Sequence, residues 1–458
     1  MIISRDHDAI IAQCTPRGSG AIALLRISGT HARKIATLLS KLPGNVALEH
    51  VPTHTVHYGH VIDEHKTAID QVLFLVMDGP KSFTGDDTIE ITCHNNPFLI
   101  EAITERALKC GARMAEPGEF TRRAFLNKKI DLLQAEAINE LIHASNHLAL
   151  KQSLSQLNGS FSQWITQLEK KLVTCFAYCE ASFEFLDEEM EFGSVIKEQL
   201  LEISASIDRI KKAFDQQHHV RQGLRVALIG SVNAGKSSLF NALLKEQRAI
   251  VAPIAGTTRD SIESSRTLHG SIVTFIDTAG LRQTNDSIEQ EGIKRSQIEA
   301  QKADIILLIL DSSREITQQE KYVYDELRKH YPGKIILVES KTDMPRVNSQ
   351  IYNAAAVLVS DKNSETIAAL EIEIGKKINE LFSRVDSPFL LNQRHYRILL
   401  KIEEYILNLL QMLEKPEIAY ELVSAQLKDT LEILTELSGK TISEQAMDAV
   451  FREFCVGK

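Results

Sequence analysis

The segment GSVNAGKSS, residues 230–238, has the spacing of a phosphate-binding loop. It follows the apolar run RVALI and precedes SSLFNALL, so strand, loop and helix stand in the order that this motif requires, which disfavours an accidental glycine loop. Loop N–H groups would face phosphate oxygens, Lys236 would lie beside the β- and γ-phosphates, and Ser237 would hold Mg²⁺ through its hydroxyl. The loop therefore predicts nucleotide contacts for Asn233, Ala234, Gly235, Lys236, Ser237 and Ser238, with Lys236 acting in catalysis.

Two further segments complete the predicted phosphate and Mg²⁺ site. FIDTAG, residues 275–280, ends a strand, so that Asp277 would reach Mg²⁺ through water and the Gly280 N–H would contact the γ-phosphate. The hydroxyl-rich segment AGTTRD, residues 255–260, lies between the two other motifs, and this position makes Thr258 the natural second Mg²⁺ ligand. These segments and the adjoining residues 252–254 add Ala252, Pro253, Ile254, Ala255, Gly256, Thr257, Thr258, Asp277, Thr278, Ala279 and Gly280 to the predicted nucleotide site.

The segment ESKTD, residues 339–343, stands where the guanine-reading motif N-K-x-D belongs, with Ser340 in place of the asparagine. Asp343 can accept hydrogen bonds from the guanine N1–H and N2–H₂ groups, and Lys341 can cover the plane of the base. A later loop contributes Ser360. The pattern therefore favours GTP over ATP.

Hydrolysis needs a group that orients the attacking water. Ras-like GTPases carry a glutamine directly after D-x-x-G, but here that position is Leu281, which cannot bind water. The next residues offer Asp286, Glu289 and Glu291, which the sequence does not rank and which could equally be solvated helix residues. The amide oxygen of Asn233 could hold a monovalent cation that stabilises charge in the transition state.

Length and charge limit the possible architectures and partners. At 458 residues the chain is too long for one core and predicts two to four domains. The net charge of −9 provides no uniform attraction to nucleic acid, so any RNA contact would need a local basic patch. The cluster Arg122, Arg123, Lys128 and Lys129 could be such a patch, although a solvated helix face is the favoured interpretation of the two arginines.

The cysteines and apolar runs indicate a compartment. The six cysteines are scattered, and Cys175 and Cys179 are predicted to be neighbours on a helix rather than half of a zinc site. No apolar run reaches the length needed to span a membrane, and the N-terminus lacks the pattern of a signal peptide. These features predict a soluble, cytoplasmic protein without membrane contact.

The periodicity divides the chain into segments that would position these motifs. The pattern over residues 1–118 predicts a mixed α+β domain. Residues 119–219 predict a helical segment that Thr121 would cap. The polar stretch at 215–223 predicts a linker to the next segment. Residues 220–383 alternate apolar strands with helices and predict a doubly wound parallel sheet, and helical periodicity returns over 384–458. We expect a multidomain α/β plus α fold, in which the two helical segments form one bundle and the α/β domain is inserted between them.

The chain resembles the MnmE (TrmE) family of tRNA modification GTPases over nearly its whole length. The resemblance rests on TPRGSGAIALLRISG, SFTGDDTIEI, EPGEFTRRAFLNKKIDLLQAEAINELI, NAGKSSLFNALL, IAGTTRD, DTAGLR and the final CVGK. It implies an N-terminal domain that binds a formyl-tetrahydrofolate and dimerises, a discontinuous helical domain, and an inserted Ras-like G domain.

The resemblance also implies a function. The family forms homodimers that work with the flavoprotein MnmG (GidA), which carries FAD, on the wobble uridine of certain tRNAs. The pair adds an aminomethyl-type group to C5 with a folate as the one-carbon donor, and GTP hydrolysis depends on K⁺-promoted dimerisation of the G domains. Two alternatives are a regulatory GTPase that acts on RNA or ribosome assembly without modification chemistry, and a scaffold whose nucleotide cycle only gates access.

Individual roles follow from the resemblance at matching positions. Glu289 matches the glutamate that orients the attacking water, and the terminal segment would reach the folate pocket rather than be frayed or prenylated, with Cys455 close to the reacting centre. Where the family usually reads H-G-G-P, this chain has His94 followed by two asparagines. The implied K⁺ ligands are Asn233, Ala252, Ile254 and Thr257, and the implied ligands of a 5-formyltetrahydrofolate-like molecule are Arg26, Glu90, Lys129 and Lys458.

Overall fold

The structure is a computed structural model that describes residues 8–184, 192–214, 217–245, 262–278, 297–347, 356–383, 385 and 387–457. The chain divides into two compact units. The first unit comprises Met1–Asn139, Ser155–Ser204 and Leu400–Lys458, and the second comprises Glu140–Leu154 and Ala205–Leu399.

The first unit contains a seven-stranded mixed sheet in the order β3-β4-β5-β6-β2-β1-β7. Neighbouring strands are antiparallel except for β1 and β7. One face packs on two helices, α1 (Ala32–Leu39) and α2 (Pro97–Lys109), around a core that includes Ile27, Phe74 and Ile91. The strands are β1 (Ile10–Gln13), β2 (Ile22–Ser28), β3 (Ser40–Lys41), β4 (Thr55–Ile62), β5 (Ala68–Met77), β6 (Thr88–His94) and β7 (Arg113–Met114).

Helices follow this sheet in the sequence. The first of them begins one turn earlier than the predicted cap, so Thr121 lies buried inside it and the capping role assigned to Thr121 is wrong. The residue before the helix is Gly118, which has no capping side chain. The Glu119 carboxylate accepts a hydrogen bond from the backbone N–H of Glu116 at 2.9 Å. The helices are α3 (Glu119–Leu126), α4 (Leu132–His143), α5 (His147–Leu157), α6 (Ser160–Glu184), α7 (Phe192–Lys212) and α8 (His218–Gln222).

The segment predicted as a polar linker, residues 215–223, is helical and packed in the interior where the structure describes it. Helix α8 occupies most of it, and Val220 is fully buried. The side chain of Gln217 is also buried, and its Oε1 accepts the backbone N–H of Leu391 at 2.9 Å. Polar composition was a misleading signal here, because the amide satisfies backbone groups in the interior rather than facing water.

The second unit contains a six-stranded sheet in the order β13-β12-β11-β8-β10-β9. All neighbours are parallel except β9, an edge strand antiparallel to β10 that the sequence did not predict. Helices α9 (Lys236–Lys245) and α11 (Ser364–Ser383) pack on one face and α10 (Gln318–His330) on the other, which confirms a doubly wound domain. The strands are β8 (Leu224–Gly230), β9 (Ile262–Leu268), β10 (Ser271–Asp277), β11 (Ile305–Asp311), β12 (Ile335–Ser340) and β13 (Val357–Leu358).

The chain ends with α12 (Gln393–Leu413), α13 (Tyr420–Ser438) and α14 (Glu444–Arg452). Helix α13 packs against α6: the Cys179 thiol contacts the Tyr420 carbonyl oxygen at 3.2 Å, and Ser424 Oγ donates to Glu180 at 2.7 Å. Helices from both sides of the α/β domain in the sequence therefore form one bundle, as predicted.

The two neighbouring cysteines lie one turn apart on α6, as predicted. Burial raises the pKa of Cys175 to about 12 and that of Cys179 to about 11, so neither is suited to act as a thiolate ligand. Across the described ranges, no three or more His, Cys, Asp or Glu side chains are grouped as metal ligands. None of the described helices combines the length and the apolar character needed to cross a membrane.

Candidate functional site

The phosphate loop connects the end of β8 to the start of α9. Gly235 has a φ of +88° and Asn233 a φ of +63°, which are left-handed conformations that glycine and asparagine adopt readily. Lys236 is only 6% exposed, and its Nζ donates to the carbonyl oxygens of Gly230 at 2.8 Å and Ser231 at 2.6 Å. Burial lowers the pKa of Lys236. The loop is thus folded around the ammonium group that the motif provides.

Ser237 and Asp277 meet beside this loop. Strands β8 and β10 are parallel neighbours, so the start of α9 and the end of β10 lie at the same edge of the sheet. Ser237 Oγ donates to Asp277 Oδ2 at 2.7 Å. A hydroxyl and a carboxylate oxygen side by side are hard ligands of the kind that Mg²⁺ prefers, and the pair fits the predicted cation. The Thr278 hydroxyl instead donates to the Leu228 carbonyl oxygen at 2.8 Å.

Ser340 joins the guanine loop to the phosphate loop. It ends β12 and is buried, with its Oγ 2.6 Å from the Ala234 carbonyl oxygen and 3.0 Å from the Leu310 carbonyl oxygen. One hydroxyl carries one proton, so the two carbonyls share a single donor. Ser340, which stands at the asparagine position of the motif, thus ties the two loops together.

Lys341 and Asp343, the two residues predicted to contact the base, each form an ion pair. Lys341 Nζ donates to Asp311 Oδ2 at 2.6 Å. Asp343 accepts from Lys362 Nζ at 2.7 Å and from Ser360 Oγ at 3.2 Å, and the hydrogen bond from Lys362 lowers the pKa of Asp343. Asp343 therefore presents an ionised acceptor, which is what guanine N–H groups require.

A second candidate site lies in the first unit, where β2 pairs with β6. Arg26 Nε donates to Glu90 Oε1 at 2.9 Å. The guanidinium lies 5.5 Å from the ring centroid of Phe83 and 5.3 Å from that of Phe120, both within cation–π range. The two phenylalanines were not among the predicted site residues, although both occur in motif segments of the sequence. The structure brings Arg26 and Glu90 together, and their binding of a folate stays a prediction.

Lys129 contacts the loop that carries one of these phenylalanines. Its Nζ donates to the Pro80 carbonyl oxygen at 2.7 Å, and Asn127 Nδ2 donates to the Thr84 carbonyl oxygen at 2.7 Å. The turn after α3 is thus fixed against residues 80–84, the segment that contains Phe83.

The C-terminal segment is docked on the same unit. The Gly118 N–H donates to the Cys455 carbonyl oxygen at 3.3 Å, and Phe451 and Phe454 are buried beside it. Gly457 has a φ of +96°, and a Cβ there would lie 2.4 Å from the carbonyl oxygen of Gln13 in β1. Since β1 pairs with β2, the segment reaches the strand next to the one that carries Arg26. Cys455 itself is exposed.

Arg123 fits neither of the two predictions for the basic cluster, which were an RNA contact and a solvated helix face. Arg123 is 1% exposed, and its Nη2 lies 2.8 Å from Asp8 and 3.0 Å from Glu119. Arg122 is 3.3 Å from Asp448. Arg123 is therefore a buried ion-pair residue that fixes α3 to the start of β1, not a solvated residue and not an RNA contact.

Asn95 and Asn96, which stand where the family usually has two glycines, stabilise the local fold. Asn96 caps α2 by accepting the Phe98 N–H at 3.0 Å, and Asn95 Nδ2 donates to the Gly18 carbonyl oxygen at 2.8 Å.

Several predicted site residues lie outside the described ranges, so their roles stay predictions. They are Ala252, Pro253, Ile254, Ala255, Gly256, Thr257, Thr258, Ala279, Gly280, Glu289 and Lys458.

A doubly wound sheet whose first strand leads into such a loop, with a serine–aspartate pair and a guanine loop beside it, defines a P-loop GTPase domain. Two family models match the chain: GTP-binding protein TrmE N-terminus over residues 9–129, and MnmE helical domain over residues 132–455.

Curated relatives match over almost the whole chain. The tRNA modification GTPase MnmE of Christiangramia forsetii is 34% identical over 99% of both chains. The proteins of the same name are 35% identical in Aquifex aeolicus and 36% in Staphylococcus aureus, each over 99% of this chain and 100% of the relative. The chain therefore belongs to the MnmE family of tRNA modification GTPases and is an enzyme that hydrolyses GTP.

Proposed function

We propose that this enzyme couples K⁺-dependent GTP hydrolysis to modification of tRNA. Together with an MnmG-type flavoprotein that carries FAD, it adds an aminomethyl or carboxymethylaminomethyl group to C5 of the wobble uridine of certain tRNAs. A 5-formyltetrahydrofolate or a related one-carbon folate is the proposed carbon donor. The observation that carries the proposal is the position of Gly457 against β1, because β1 pairs with β2, which carries Arg26, and β2 pairs with β6, which carries Glu90.

The chemistry of the second candidate site suits a folate. A pterin is a flat ring system with N–H donors, which the carboxylate of Glu90 can accept, and a folate also carries carboxylates, which Lys129 and Lys458 can bind. Phe83 and Phe120 provide apolar ring surfaces around Arg26. A bound folate would supply the one-carbon unit, and Cys455 is proposed to lie near it.

In the G domain, Lys236 is proposed to bind the β- and γ-phosphates and Glu289 to orient the attacking water. Ser237 and Thr258 would hold Mg²⁺, which would neutralise phosphate charge. Asn233, exposed on the loop, would hold K⁺ with the carbonyl groups of Ala252, Ile254 and Thr257, and K⁺ would stabilise charge in the transition state. Asp343, Lys341, Ser340 and Ser360 would form the guanine pocket.

The proposed division of labour follows four segments. Residues 1–118 would bind folate and dimerise, 119–219 and 384–458 would form the helical domain, and 220–383 would hydrolyse GTP. The protein would act in the cytoplasm as a homodimer, and K⁺ would promote contact between the two G domains. Whole-length similarity to tRNA modification GTPases supports this arrangement.

The test is mass spectrometry of nucleosides from bulk tRNA in cells with and without the protein. Loss of a C5-aminomethyl-type uridine on depletion, restored by the unsubstituted chain but not by Glu289→Ala, is expected. Unchanged uridines would exclude the modification role and favour a regulatory GTPase. Full restoration by a Glu289→Ala variant that binds but does not hydrolyse GTP would indicate a scaffold. Comparing hydrolysis rates in K⁺ and Na⁺ tests the cation requirement.

A further inference from the structure

Ser231, the residue after the first glycine of the phosphate loop, is held by side chains that belong to none of the sequence motifs. We propose that Arg314, Glu320 and Tyr324 form a clamp that fixes the Ser231 peptide and thereby positions Lys236 for the β-phosphate. All these residues lie in the second unit. The clamp residues are positioning residues, because they contact Ser231 and act through it, and the inference rests on the proposed contact of Lys236 with the β-phosphate.

Tyr324 holds the backbone of Ser231. The Ser231 N–H donates to Tyr324 Oη at 2.9 Å. Tyr324 lies on α10 and is 3% exposed, and its hydroxyl is 3.5 Å from the Ile309 carbonyl oxygen at the end of β11. Burial raises the pKa of Tyr324, so the phenol keeps its proton for Ile309 while its oxygen accepts from Ser231.

Arg314 holds the side chain of Ser231. Its Nη2 donates to Ser231 Oγ at 2.8 Å, and its Nη1 donates to Glu320 Oε2 at 3.0 Å. The same carboxylate oxygen accepts the Thr317 N–H at 2.8 Å as part of the capping box that starts α10. The hydrogen bonds from Arg314 lower the pKa of Glu320 to about 2, so the carboxylate is ionised at neutral pH. Ser231 is thereby tied to the first turn of α10.

The opposite side of the Ser231 peptide faces Lys236. The Ser231 carbonyl oxygen accepts from Lys236 Nζ at 2.6 Å, and the Gly230 carbonyl oxygen accepts at 2.8 Å. An ammonium group has three N–H donors, so these two bonds leave one for a phosphate oxygen. The direction of that third donor depends on where the two carbonyls lie. A clamp that fixes the Ser231 peptide therefore also aims Lys236.

The test uses Tyr324→Phe and Arg314→Gln in the full-length chain, with Mg²⁺ present. Dissociation constants are measured for fluorescent GDP, and for GMP by competition. Each substitution removes one hydrogen bond to Ser231. Because Lys236 is proposed to contact the β-phosphate, this loss should weaken GDP binding about three- to tenfold. Binding of GMP, which has no β-phosphate, should not change, and kcat/KM for GTP should fall with the GDP affinity. Arg314→Lys, which keeps a donor, should recover part of the loss.

Matched controls lie at the other end of α10. Tyr331→Phe and Arg328→Gln make the same chemical changes away from the loop and should leave GDP affinity unchanged. Ser231→Ala and Arg314→Gln both remove the hydrogen bond from Arg314 to Ser231 Oγ. In a double-mutant cycle, the double variant should therefore bind GDP no more weakly than Arg314→Gln alone. Equal weakening of GDP and GMP would overturn the proposal in favour of general damage to the domain. An unchanged GDP affinity in Tyr324→Phe, which loses a single oxygen atom, would also overturn it.

Discussion

Replacing Gly457 with alanine tests whether the C-terminal segment is part of the ligand site in the first unit. Gly457 has a φ of +96°, and the added Cβ would lie 2.4 Å from the Gln13 carbonyl oxygen and 2.9 Å from the Cys14 Cα. Both are backbone atoms, which cannot rotate away as a side chain can. The segment would therefore have to leave its position on β1.

The size of the effect follows from this geometry. A residue with a Cβ costs about 1–2 kcal/mol in a left-handed conformation, which disfavours the docked segment roughly five- to thirtyfold even before the clash. Phe451 and Phe454 are buried and keep α14 in place, so the fold should survive. Calorimetric titration with 5-formyltetrahydrofolate should show binding weakened at least about tenfold. GDP affinity should be unchanged.

Gly111→Ala is the matched control. Gly111 has a φ of +107°, but a Cβ there would meet no atom within 4 Å. This variant introduces a comparable backbone strain without the clash, so it should lower the thermal unfolding temperature and retain folate affinity. If Gly457→Ala bound folate as well as the unsubstituted chain, the segment would not belong to the site. Equal loss of affinity in both variants would contradict the role assigned to the clash.

Three further substitutions test other parts of the structure. Ser340→Ala removes a buried donor shared by two carbonyls and should weaken GDP binding about tenfold in a fluorescence titration; an unchanged affinity would show that the tie between the loops is dispensable. Arg123→Ala should lower the free energy of unfolding by about 3 kcal/mol at pH 7, measured by urea denaturation. Burial raises the pKa of Glu119, but hydrogen bonds to Arg113 and other partners bring it below 4.5, so the stabilisation is present above that pH and is lost as the pH falls. The deficit of Arg123→Ala should therefore shrink below about pH 4.5, and a constant deficit would refute the ionic explanation. Lys362→Ala frees Asp343, the predicted acceptor for guanine, from an exposed ion pair. Because exposed ion pairs are weak, GDP affinity should rise by no more than about threefold. Weaker binding would mean that Lys362 contributes to binding of the base.

Much of the G domain could be predicted because its signals are local. A phosphate loop reads as strand, loop and helix over a few residues, so Lys236 and Ser237 were found from spacing alone. The clamp was missed because Arg314 lies 83 residues from Ser231 in the sequence, and an arginine after a strand carries no spacing signal. The contact of Ser340 with Ala234 spans 106 residues and was equally invisible.

The misread residues in the first unit have a related cause. A charged residue on an amphipathic helix normally faces water, which is why Arg123 was interpreted as solvated. Its burial depends on Asp8, 115 residues earlier, which comes to lie beside α3 only when β1 joins the sheet. Phe83 and Phe120 likewise surround Arg26 through tertiary packing. The helix pattern was sufficient to predict the elements but not which polar residues they bury.

The two candidate sites differ in how much of the chain each requires. The described contacts of the nucleotide site fall between Leu228 and Lys362, so one continuous segment can build them. The candidate folate site instead joins Gln13, near the start of the chain, to Gly457, near its end. Contacts of such sequence separation form only after the loop-closure entropy between them has been overcome, which requires the intervening sheet and helices to fold first. Completion of the candidate folate site therefore depends on the folded helical bundle, whereas nucleotide contacts do not.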